Sequence, residues 1–341
     1  MSMVNLGIAG MGYMGRVHLE ASQKVPEARV LAVATAQPEK VRSAYPGLQI
    51  YPSYEELVRD DRLDAIVICV PTYLHEQVAV AAAEWGRHIL CEKAMALDAA
   101  SAQRMLQAAR ARGLILMVAH VLRFWAQYAR IRELVDAGEI GAIRSITARR
   151  LATYPPWGDW FRDPAKSGGG ILDLQIHDVD FIHGILGHPR SVYTVGIQSP
   201  RKSWDHVHTT LTYPGAQATL EASLMMPKGW PFSTDIGIVG TEGALEYTFR
   251  VGENIQQRDQ AAHSFRLYKS DGTTSEPATS PEDMFVAQLR YFVRCVAERE
   301  PPHLCPPEET YQVMQVMSAS RLSADSGRII ALDTDEPVAA P

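Results

Sequence analysis

Short apolar runs alternate with helix-type patterns over the first part of the chain, and this alternation is the strongest constraint on its fold. Residues 4–10, 28–35 and 63–71 form three of the five runs, and two more follow before residue 121. Strands that alternate with helices are joined by crossovers into a parallel sheet, and a sheet covered on both faces needs continuous apolar strands. The pattern predicts a doubly wound α/β Rossmann domain over residues 1–121.

Two sequence signals indicate where helices of this domain begin. Ser53 and Glu56 stand three residues apart, as in a capping box, and Asp98 precedes a helix-type run that ends before Gly113. Ser and Asp side chains at such positions accept hydrogen bonds from N–H groups of the first helical turn. We therefore expect helices to start directly after Ser53 and Asp98.

The pattern changes after residue 121, where alternating strand-type stretches separated by Gly, Pro or Asp become the main feature. Strands in succession, with helices beside them, are typical of an α+β domain. The sequence predicts such a domain over residues 122–341, with a largely antiparallel open sheet. Its later helices are expected at residues 172–186, about 282–299 and about 307–325.

Composition excludes several kinds of partner. The chain has 341 residues, 46% hydrophobic and 21% charged, and its formal net charge is −6. An acidic balance offers no basic excess to neutralise phosphates, so neither nucleic acid nor a membrane surface is an expected partner. The chain shows neither a signal-peptide pattern nor an apolar run long enough for a membrane span, and a cytoplasmic location is therefore expected.

The sequence shows no metal-ligand spacing. The four cysteines form no Cys-x-x-Cys pair, and Cys69 and Cys91 lie in apolar runs typical of buried thiols. His206 and His208 lie in a strand-type run, where two ordinary strand residues are the simpler interpretation. No metal site is expected.

Gly10, Gly12 and Gly15 form a G-x-G-x-x-G pattern between the first strand and the first helix. In that setting the first glycine permits a tight turn, the second lets the backbone approach a pyrophosphate, and the third allows the helix to pack closely on the strand. The helix N-terminus adds N–H groups and a positive dipole. The pattern predicts a dinucleotide-binding loop.

The residue that would read the ribose of the dinucleotide lies at the end of the second strand. Thr35 and Ala36 occupy this place, so a carboxylate that would bind a 2′-hydroxyl and repel a 2′-phosphate is missing. Lys40 and Arg42 follow about a turn downstream. The choice between NAD and NADP stays open, with a slight preference for NADP.

Residues 167–180 read SGGGILDLQIHDVD, in which three glycines precede Asp173, His177 and Asp180. Glycines let a backbone approach a ligand closely, and residues at i and i+4 share one helix face. The structural alternative is an acid favoured by the helix dipole together with a surface histidine.

Taken together, these segments resemble the GFO/IDH/MocA family of oxidoreductases, named after glucose–fructose oxidoreductase, inositol dehydrogenase and a rhizopine-catabolism protein. The resemblance rests on the glycine motif with His18 behind it, and on residues 70–96, 123–146 and 168–187. It runs from residue 4 to about 330. It implies that residues 122–341 serve substrate binding and oligomerisation in a homodimer or homotetramer. It also implies NAD(P)-dependent hydride transfer to or from a secondary alcohol of a sugar, cyclitol or sugar derivative.

The resemblance also assigns roles to single residues. Lys93 would face the substrate near the nicotinamide, and Asp173 with His177 would meet the substrate hydroxyl, so these three are the expected catalytic residues. Ala94 stands where the family usually has proline, and losing that ring would loosen the backbone. The expected cofactor-binding residues are Gly10, Gly12, Tyr13, Met14, Gly15, Thr35, Pro71, Thr72, His75, Glu92 and Lys93.

The chemistry leaves the individual proton-transfer roles open. An imidazole such as His177 titrates near neutrality and suits proton acceptance, Asp173 would orient it, and Lys93 would polarise the oxygen or relay the proton. The two segments that carry these residues are expected to converge on one cleft between the domains.

The substrate-binding residues are expected in and near an aromatic loop, residues 154–164, before the three glycines. Its rings suit the apolar faces of a sugar, although packing on a neighbouring subunit explains them equally well. Arg123 would contact substrate or, alternatively, form a structural ion pair. The expected substrate-binding residues are Arg123, Trp157, Trp160, Arg162 and His177.

Two other functions are consistent with the same fold. A non-catalytic NAD(P)-binding sensor or scaffold would explain Ala94 and the missing ribose acid. An NAD-dependent enzyme that cleaves glycosides or eliminates a group would oxidise its substrate only transiently. Accumulation of reduced cofactor distinguishes a dehydrogenase from both.

Overall fold

A computed structural model describes residues 2–156, 158–252 and 261–332. The chain divides into two compact units, each made of two segments. The first unit is Met1–Phe124 with Glu282–Met314, and the second is Trp125–Pro281 with Gln315–Pro341. Within the described residues, every helix is too short or too polar to cross a bilayer.

The strands and the α-helices of the described residues are numbered separately, each in chain order. The strands are β1 (Val4–Ala9), β2 (Ala28–Ala34), β3 (Gln49–Tyr51), β4 (Ala65–Ile68), β5 (His88–Cys91), β6 (Leu116–Val118), β7 (Ile143–Leu151), β8 (Ser191–Gln198), β9 (Trp204–Tyr213), β10 (Ala216–Ser223), β11 (Phe232–Gly240), β12 (Gly243–Val251), β13 (Ala262–Lys269), β14 (Thr274–Ser275) and β15 (Ile330–Ala331). The helices are α1 (Tyr13–Ser22), α2 (Pro38–Ala44), α3 (Tyr54–Leu57), α4 (His75–Glu84), α5 (Ala99–Arg110), α6 (Ala126–Asp136), α7 (Pro164–Ser167), α8 (Gly169–Asp173), α9 (Ile176–Leu186), α10 (Met284–Glu298) and α11 (Pro307–Ser326).

The first unit is built on a parallel sheet. Its six described strands lie in the order β3-β2-β1-β4-β5-β6. All five neighbouring pairs run parallel. Every residue of β4 is buried, as a strand covered on both faces requires. The predicted doubly wound Rossmann architecture is confirmed. The sequence pattern did not predict β3 or α2, because each is short and only partly apolar.

Both predicted helix starts in this unit are observed. The Ser53 hydroxyl accepts a hydrogen bond from the Glu56 N–H at 3.4 Å, and the Asp98 carboxylate accepts one from the Ser101 N–H at 2.8 Å. These bonds satisfy backbone donors that have no acceptor within the helix. Gly113 lies beyond the end of α5 with φ of +62°, which glycine adopts readily.

Residues 282–314 join the first unit, whereas the predicted boundary assigned everything after residue 121 to the second domain. The reason is the apolar side of α10, which buries Leu289, Phe292 and Val293 and packs on α1 and on the 3₁₀ turn Val121–Phe124. A boundary drawn from a change of pattern along the chain does not detect a helix that returns to an earlier unit.

The second unit is built on a mostly antiparallel sheet. Its described strands number nine, in the order β14-β13-β12-β11-β7-β10-β9-β8-β15. The β10–β7 pair is parallel, and the other seven neighbouring pairs are antiparallel. The predicted α+β architecture with a largely antiparallel sheet is therefore confirmed. The two-residue strands β14 and β15 are too short to leave an alternating pattern.

A buried ion pair joins the sheet of the second unit to α9. The Arg150 guanidinium on β7 donates through Nε and Nη2 to the two carboxylate oxygens of Asp178, at 2.9 and 2.8 Å. Both side chains are almost fully buried. The Tyr128 hydroxyl lies 2.9 Å from the hydroxyl of Thr234 and accepts a longer bond from Arg150. Such a pair fixes geometry, and losing one partner leaves a buried charge uncompensated.

We expect Asp178→Asn to lower the free energy of unfolding by about 3–5 kcal/mol, because the neutral amide leaves Arg150 charged and buried. Urea unfolding followed by circular dichroism measures this. Asp136→Asn is the matched control, since Asp136 forms an exposed pair with Arg132 within α6, and exposed pairs contribute about 0–1 kcal/mol. Equal losses in both variants would contradict the prediction.

Candidate active site

The turn between β1 and α1 brings backbone unusually close to backbone. Gly10 has φ of +99°, and a Cβ on it would lie 2.6 Å from the carbonyl oxygen of Cys69, the residue after β4. A Cβ on Gly15 would lie 2.0 Å from the carbonyl oxygen of Gly10. Neither position has room for a side chain, so the protein's own packing requires both glycines.

Gly12 is different from its two neighbours in the motif. It directly precedes α1, and a Cβ on it would have no heavy atom within 4 Å. The fold itself therefore does not require a glycine there. Open space at the N-terminus of a ten-residue helix suits a phosphate group, which that helix end attracts. Tyr13 and Met14 form the first turn behind it. The loop thus fits the dinucleotide that its sequence predicts.

The end of β2 lacks a carboxylate at the expected place. Thr35 follows the strand, and its hydroxyl accepts a hydrogen bond from the Gln37 N–H at 3.1 Å. Arg42, on α2, is paired with Glu39 in an exposed contact. A ribose 2′-phosphate would meet no fixed negative charge from Thr35 itself.

A buried contact links α1 to the residue that precedes Lys93. The Nε2 atom of His18 lies 2.7 Å from the Glu92 Oε1 atom, and His18 is fully buried. The other Glu92 oxygen accepts a hydrogen bond from the Lys93 N–H at 3.3 Å. The sequence pattern does not reveal this pairing, because 74 positions separate the two residues.

A second histidine holds the backbone on the other side of Lys93. His75 is buried at the start of α4, with Nδ1 2.8 Å from the Ala94 carbonyl oxygen and Nε2 2.9 Å from the Val70 carbonyl oxygen. Burial lowers the pKa of His75, although both carbonyl contacts oppose this shift. The Lys93–Ala94 peptide bond is cis, and Ala94 is buried. Packing therefore holds the segment that the missing proline was expected to loosen.

The remaining expected cofactor-loop residues lie next to His75. Pro71 precedes the 3₁₀ turn Thr72–Leu74, and its carbonyl oxygen accepts from the Leu74 N–H at 2.8 Å. Thr72 is buried. The structure thus brings this loop and the segment from Glu92 to Ala94 together within the first unit through His75.

Arg123 occupies a structural ion pair. Its Nη1 atom donates to the Glu309 carboxylate at 2.8 Å and to the Leu304 carbonyl oxygen at 3.0 Å. The side chain is only 9% exposed. These contacts favour the ion-pair alternative over the expected contact with substrate.

In the second unit, Gly169 and Gly170 pack against the start of β9, whereas Gly168 packs against Leu172. Gly168 and Gly169 both have φ of +77°. A Cβ on Gly169 would lie 2.2 Å from the Ser203 hydroxyl, and one on Gly170 would lie 3.0 Å from the Asp205 Cα atom. Close approach to a ligand was the sequence-based expectation for this run, whereas the structure gives the glycines a reason inside the protein.

Asp205 organises this segment and was not recognised in the sequence. Its carboxylate is buried and accepts hydrogen bonds from the Gly170 N–H at 2.8 Å, the Ser203 hydroxyl at 2.7 Å and the Tyr154 hydroxyl at 2.5 Å. Burial, followed by the bond to Asp205, raises the pKa of Tyr154 to about 12. An aspartate within an otherwise alternating strand was the only available signal.

Asp173 and His177 do not share a single helix, which corrects the expected helix over residues 172–186. Asp173 ends α8, and His177 is the second residue of α9. Between them the Gln175 N–H bonds to the Gly170 carbonyl oxygen at 3.2 Å, a step of five residues instead of four. This wider turn shifts the helical register. Asp173 is buried and His177 is partly exposed.

The aromatic loop lies next to the same segment. Trp160 and Phe161 are stacked, with ring centroids 3.8 Å apart, and the Arg162 guanidinium lies over the ring of Tyr154 at 5.3 Å. Tyr154 in turn donates to Asp205. Trp157, another expected substrate residue, lies outside the described residues.

Comparison with known proteins identifies the family. An oxidoreductase family with an NAD-binding Rossmann fold matches residues 4–120, and the GFO/IDH/MocA C-terminal domain matches residues 128–246. The chain belongs to the GFO/IDH/MocA family. The glycine loop, whose backbone geometry suits a phosphate, thus lies in the domain that binds the nicotinamide dinucleotide in this family.

Full-length relatives of this GFO/IDH/MocA protein support the assignment. D-xylose 1-dehydrogenase (NADP(+)) 2 of Haloferax volcanii is 30% identical over 96% of this chain and 98% of its own. A scyllo-inositol 2-dehydrogenase (NADP(+)) of Bacillus subtilis is 24% identical over 97% of this chain and 96% of its own. The crystal structure of aldose-aldose oxidoreductase from Caulobacter crescentus has a TM-score of 0.84 at 23% identity, covering 97% and 100% of the two chains. This last likeness concerns the fold.

We expect Gly12→Val to weaken dinucleotide binding by roughly a hundredfold or more, because the new side chain would fill the approach of the pyrophosphate. The fold should stay intact, since a Cβ at Gly12 meets no neighbour. Gly47→Val is the matched control, because Gly47 also has open space around it and lies away from the loop. Calorimetric titration with NADP and NAD, together with circular dichroism, measures both effects. Unchanged affinity in Gly12→Val would refute the loop assignment.

Proposed function

We propose that this GFO/IDH/MocA protein oxidises a secondary alcohol of a sugar, cyclitol or sugar derivative, with NADP slightly preferred over NAD. The protein is an NAD(P)-dependent oxidoreductase that acts on a CH–OH group. The observation that carries the proposal is the open space at Gly12, on the N-terminal side of α1, beside two glycines that packing requires. The relatives named for xylose and scyllo-inositol support a polyhydroxylated substrate.

The reaction separates a hydride from a proton. An oxidised nicotinamide held at the glycine loop would supply the acceptor for the hydride of the carbinol carbon. We propose that His177 accepts the proton of the substrate hydroxyl, because an imidazole is suited to proton transfer near neutrality and this side chain is partly exposed. Asp173 is proposed to orient the imidazole, and Lys93 to polarise the oxygen or relay the proton. The products are a carbonyl compound, reduced cofactor and one proton.

Two buried contacts support the role of Lys93. Glu92 is held by His18 on one side of it, and the Ala94 carbonyl is held by His75 on the other. A lysine has a long flexible side chain, so fixing its main chain at both ends limits the positions that its amino group reaches. Precise placement of this kind is what a positioned catalytic group requires.

For the substrate, we propose contacts with Trp160 and Arg162 of the aromatic loop. The Trp160 ring offers an apolar surface that suits a sugar face, and the Arg162 guanidinium supplies hydrogen-bond donors. The expected homodimer or homotetramer and the expected cytoplasmic location stay predictions from the sequence.

We expect His177→Ala to lower kcat by roughly 10²–10⁴-fold, the usual effect of losing a positioned acid or base, while cofactor affinity barely changes. Asp173→Asn should also lower kcat, and the double variant should lose little more than the worse single one, because residues that act as a unit are not additive. His263→Ala, an exposed histidine on β13, is the matched control. Steady-state absorbance of reduced cofactor, after a screen of sugars and cyclitols, provides the measurement.

Two outcomes of that experiment would count against the proposal. A kcat close to that of the unaltered protein in folded His177→Ala would show that His177 does not transfer the proton. Substrate conversion without accumulation of reduced cofactor would instead favour the enzyme that oxidises its substrate only transiently.

We expect NADP to bind at least as tightly as NAD, because the side chain of Thr35 does not repel a 2′-phosphate. Replacing Thr35 with aspartate should shift the preference toward NAD by roughly tenfold or more, since the carboxylate repels the phosphate and bonds the 2′-hydroxyl. Thr35→Asn is the control, because asparagine has the same size as aspartate but carries no charge. Calorimetry with both cofactors decides this, and a tenfold NAD preference in the unaltered protein would show that another group reads the ribose.

A further inference from the structure

Three potential metal ligands lie together on the second unit's sheet. His206 and His208 are two residues apart on β9, so their side chains project from the same face. Glu221 on β10 is paired directly opposite His208 in the antiparallel register. Among the described residues, the ligand atoms of these three side chains form a group in which every pair lies within 4.8 Å.

The separations within this cluster match a transition-metal site. The Nε2 atoms of His206 and His208 are 3.2 Å apart. Two nitrogen ligands at about 2.0–2.1 Å from a tetrahedral zinc ion are separated by about 3.3 Å. The Glu221 Oε1 atom lies 4.0 Å from the His206 Nε2 atom. To complete the site, the Glu221 carboxylate would approach through a change of side-chain rotamer.

The surroundings leave the Glu221 charge available. Arg149 on β7 is directly opposite Glu221 in the β10–β7 register, and it is the nearest basic residue in that row of the sheet. Its guanidinium is paired with Asp235 on β11 at 2.7 Å, on the side away from Glu221. The cationic charge of Arg149 is thereby balanced by a carboxylate other than Glu221.

The cluster is open to solvent in the single chain. His208 is exposed, and His206 and Glu221 are partly exposed. His208 and Glu221 also line a depression of about 720 Å³ on this face of the sheet. An ion therefore has access, and two imidazoles with one carboxylate leave at least one coordination position for water or another ligand.

We propose that His206, His208 and Glu221 bind a divalent transition-metal ion of the zinc type. Two neutral imidazoles and a carboxylate are borderline ligands that zinc accepts, whereas calcium and magnesium prefer oxygen ligands alone. The site is separate from the residues assigned to hydride and proton transfer. The alternative explanation for the 3.2 Å separation is a hydrogen bond between two neutral imidazole rings.

The test uses the full chain without a polyhistidine tag, stripped of metal by chelator and dialysed. Calorimetric titration with zinc chloride should show one ion per chain with a micromolar dissociation constant. A cobalt(II) titration should show the visible absorption of a four- or five-coordinate ion. His206→Ala, His208→Ala and Glu221→Gln should each weaken binding by tenfold or more, and His263→Ala should leave it unchanged.

Two results would overturn the proposal. The first is the absence of zinc binding to the unaltered chain at 100 µM metal, which means a binding free energy weaker than roughly −5.5 kcal/mol. This result would leave the hydrogen bond between the imidazoles as the explanation. The second is full-strength binding in both histidine variants, which would place the ion elsewhere. Circular dichroism of each variant separates loss of ligands from loss of fold, and turnover with NADP or NAD is not needed for either readout.

Discussion

The close approach of backbone at the β1–α1 turn is the constraint on which the rest of the first unit depends. Gly10 lies against the residue after β4, and Gly15 lies against Gly10, at distances that exclude any side chain. These contacts set the position of the α1 N-terminus relative to the ends of β1 and β4, the place where the strand order reverses. Gly12 is left facing open space as a result, so one turn both packs the sheet and exposes helical N–H groups.

The two glycine-rich segments both contain three glycines, but the glycines are required for different physical reasons. At the β1–α1 turn, two glycines serve packing and the third faces open space. In the second unit, Gly169 and Gly170 both press against β9, where Asp205 accepts a bond from the Gly170 N–H. A run of glycines therefore indicates close approach in both places, and only the structure distinguishes approach to a ligand from approach to another strand.

What the sequence predicted is local, and what it missed depends on topology. The glycine turn and the caps at Ser53 and Asp98 arise from residues a few positions apart, so a pattern along the chain reveals them. The return of α10 to the first unit arises from contacts with elements about 160–280 positions earlier. The break between α8 and α9 eluded prediction for another reason, since a five-residue hydrogen-bond step leaves no distinctive residue type.

The proposed metal site depends on topology in the same way. His206 and His208 were interpreted as ordinary strand residues because a pair alone is a weak signal. The third ligand, Glu221, lies on the neighbouring strand, and its alignment with His208 is set by the β9–β10 register. Register depends on turn geometry and on the face that is buried, and spacing along the chain does not report it.

The contact between His18 and Glu92 couples two parts of the first unit that the sequence keeps far apart. His18 lies on α1, the helix whose N-terminus is the expected phosphate site, and Glu92 holds the main chain of Lys93. The position of α1 and the main chain at Lys93 are therefore linked through one buried 2.7 Å contact between residues 74 positions apart.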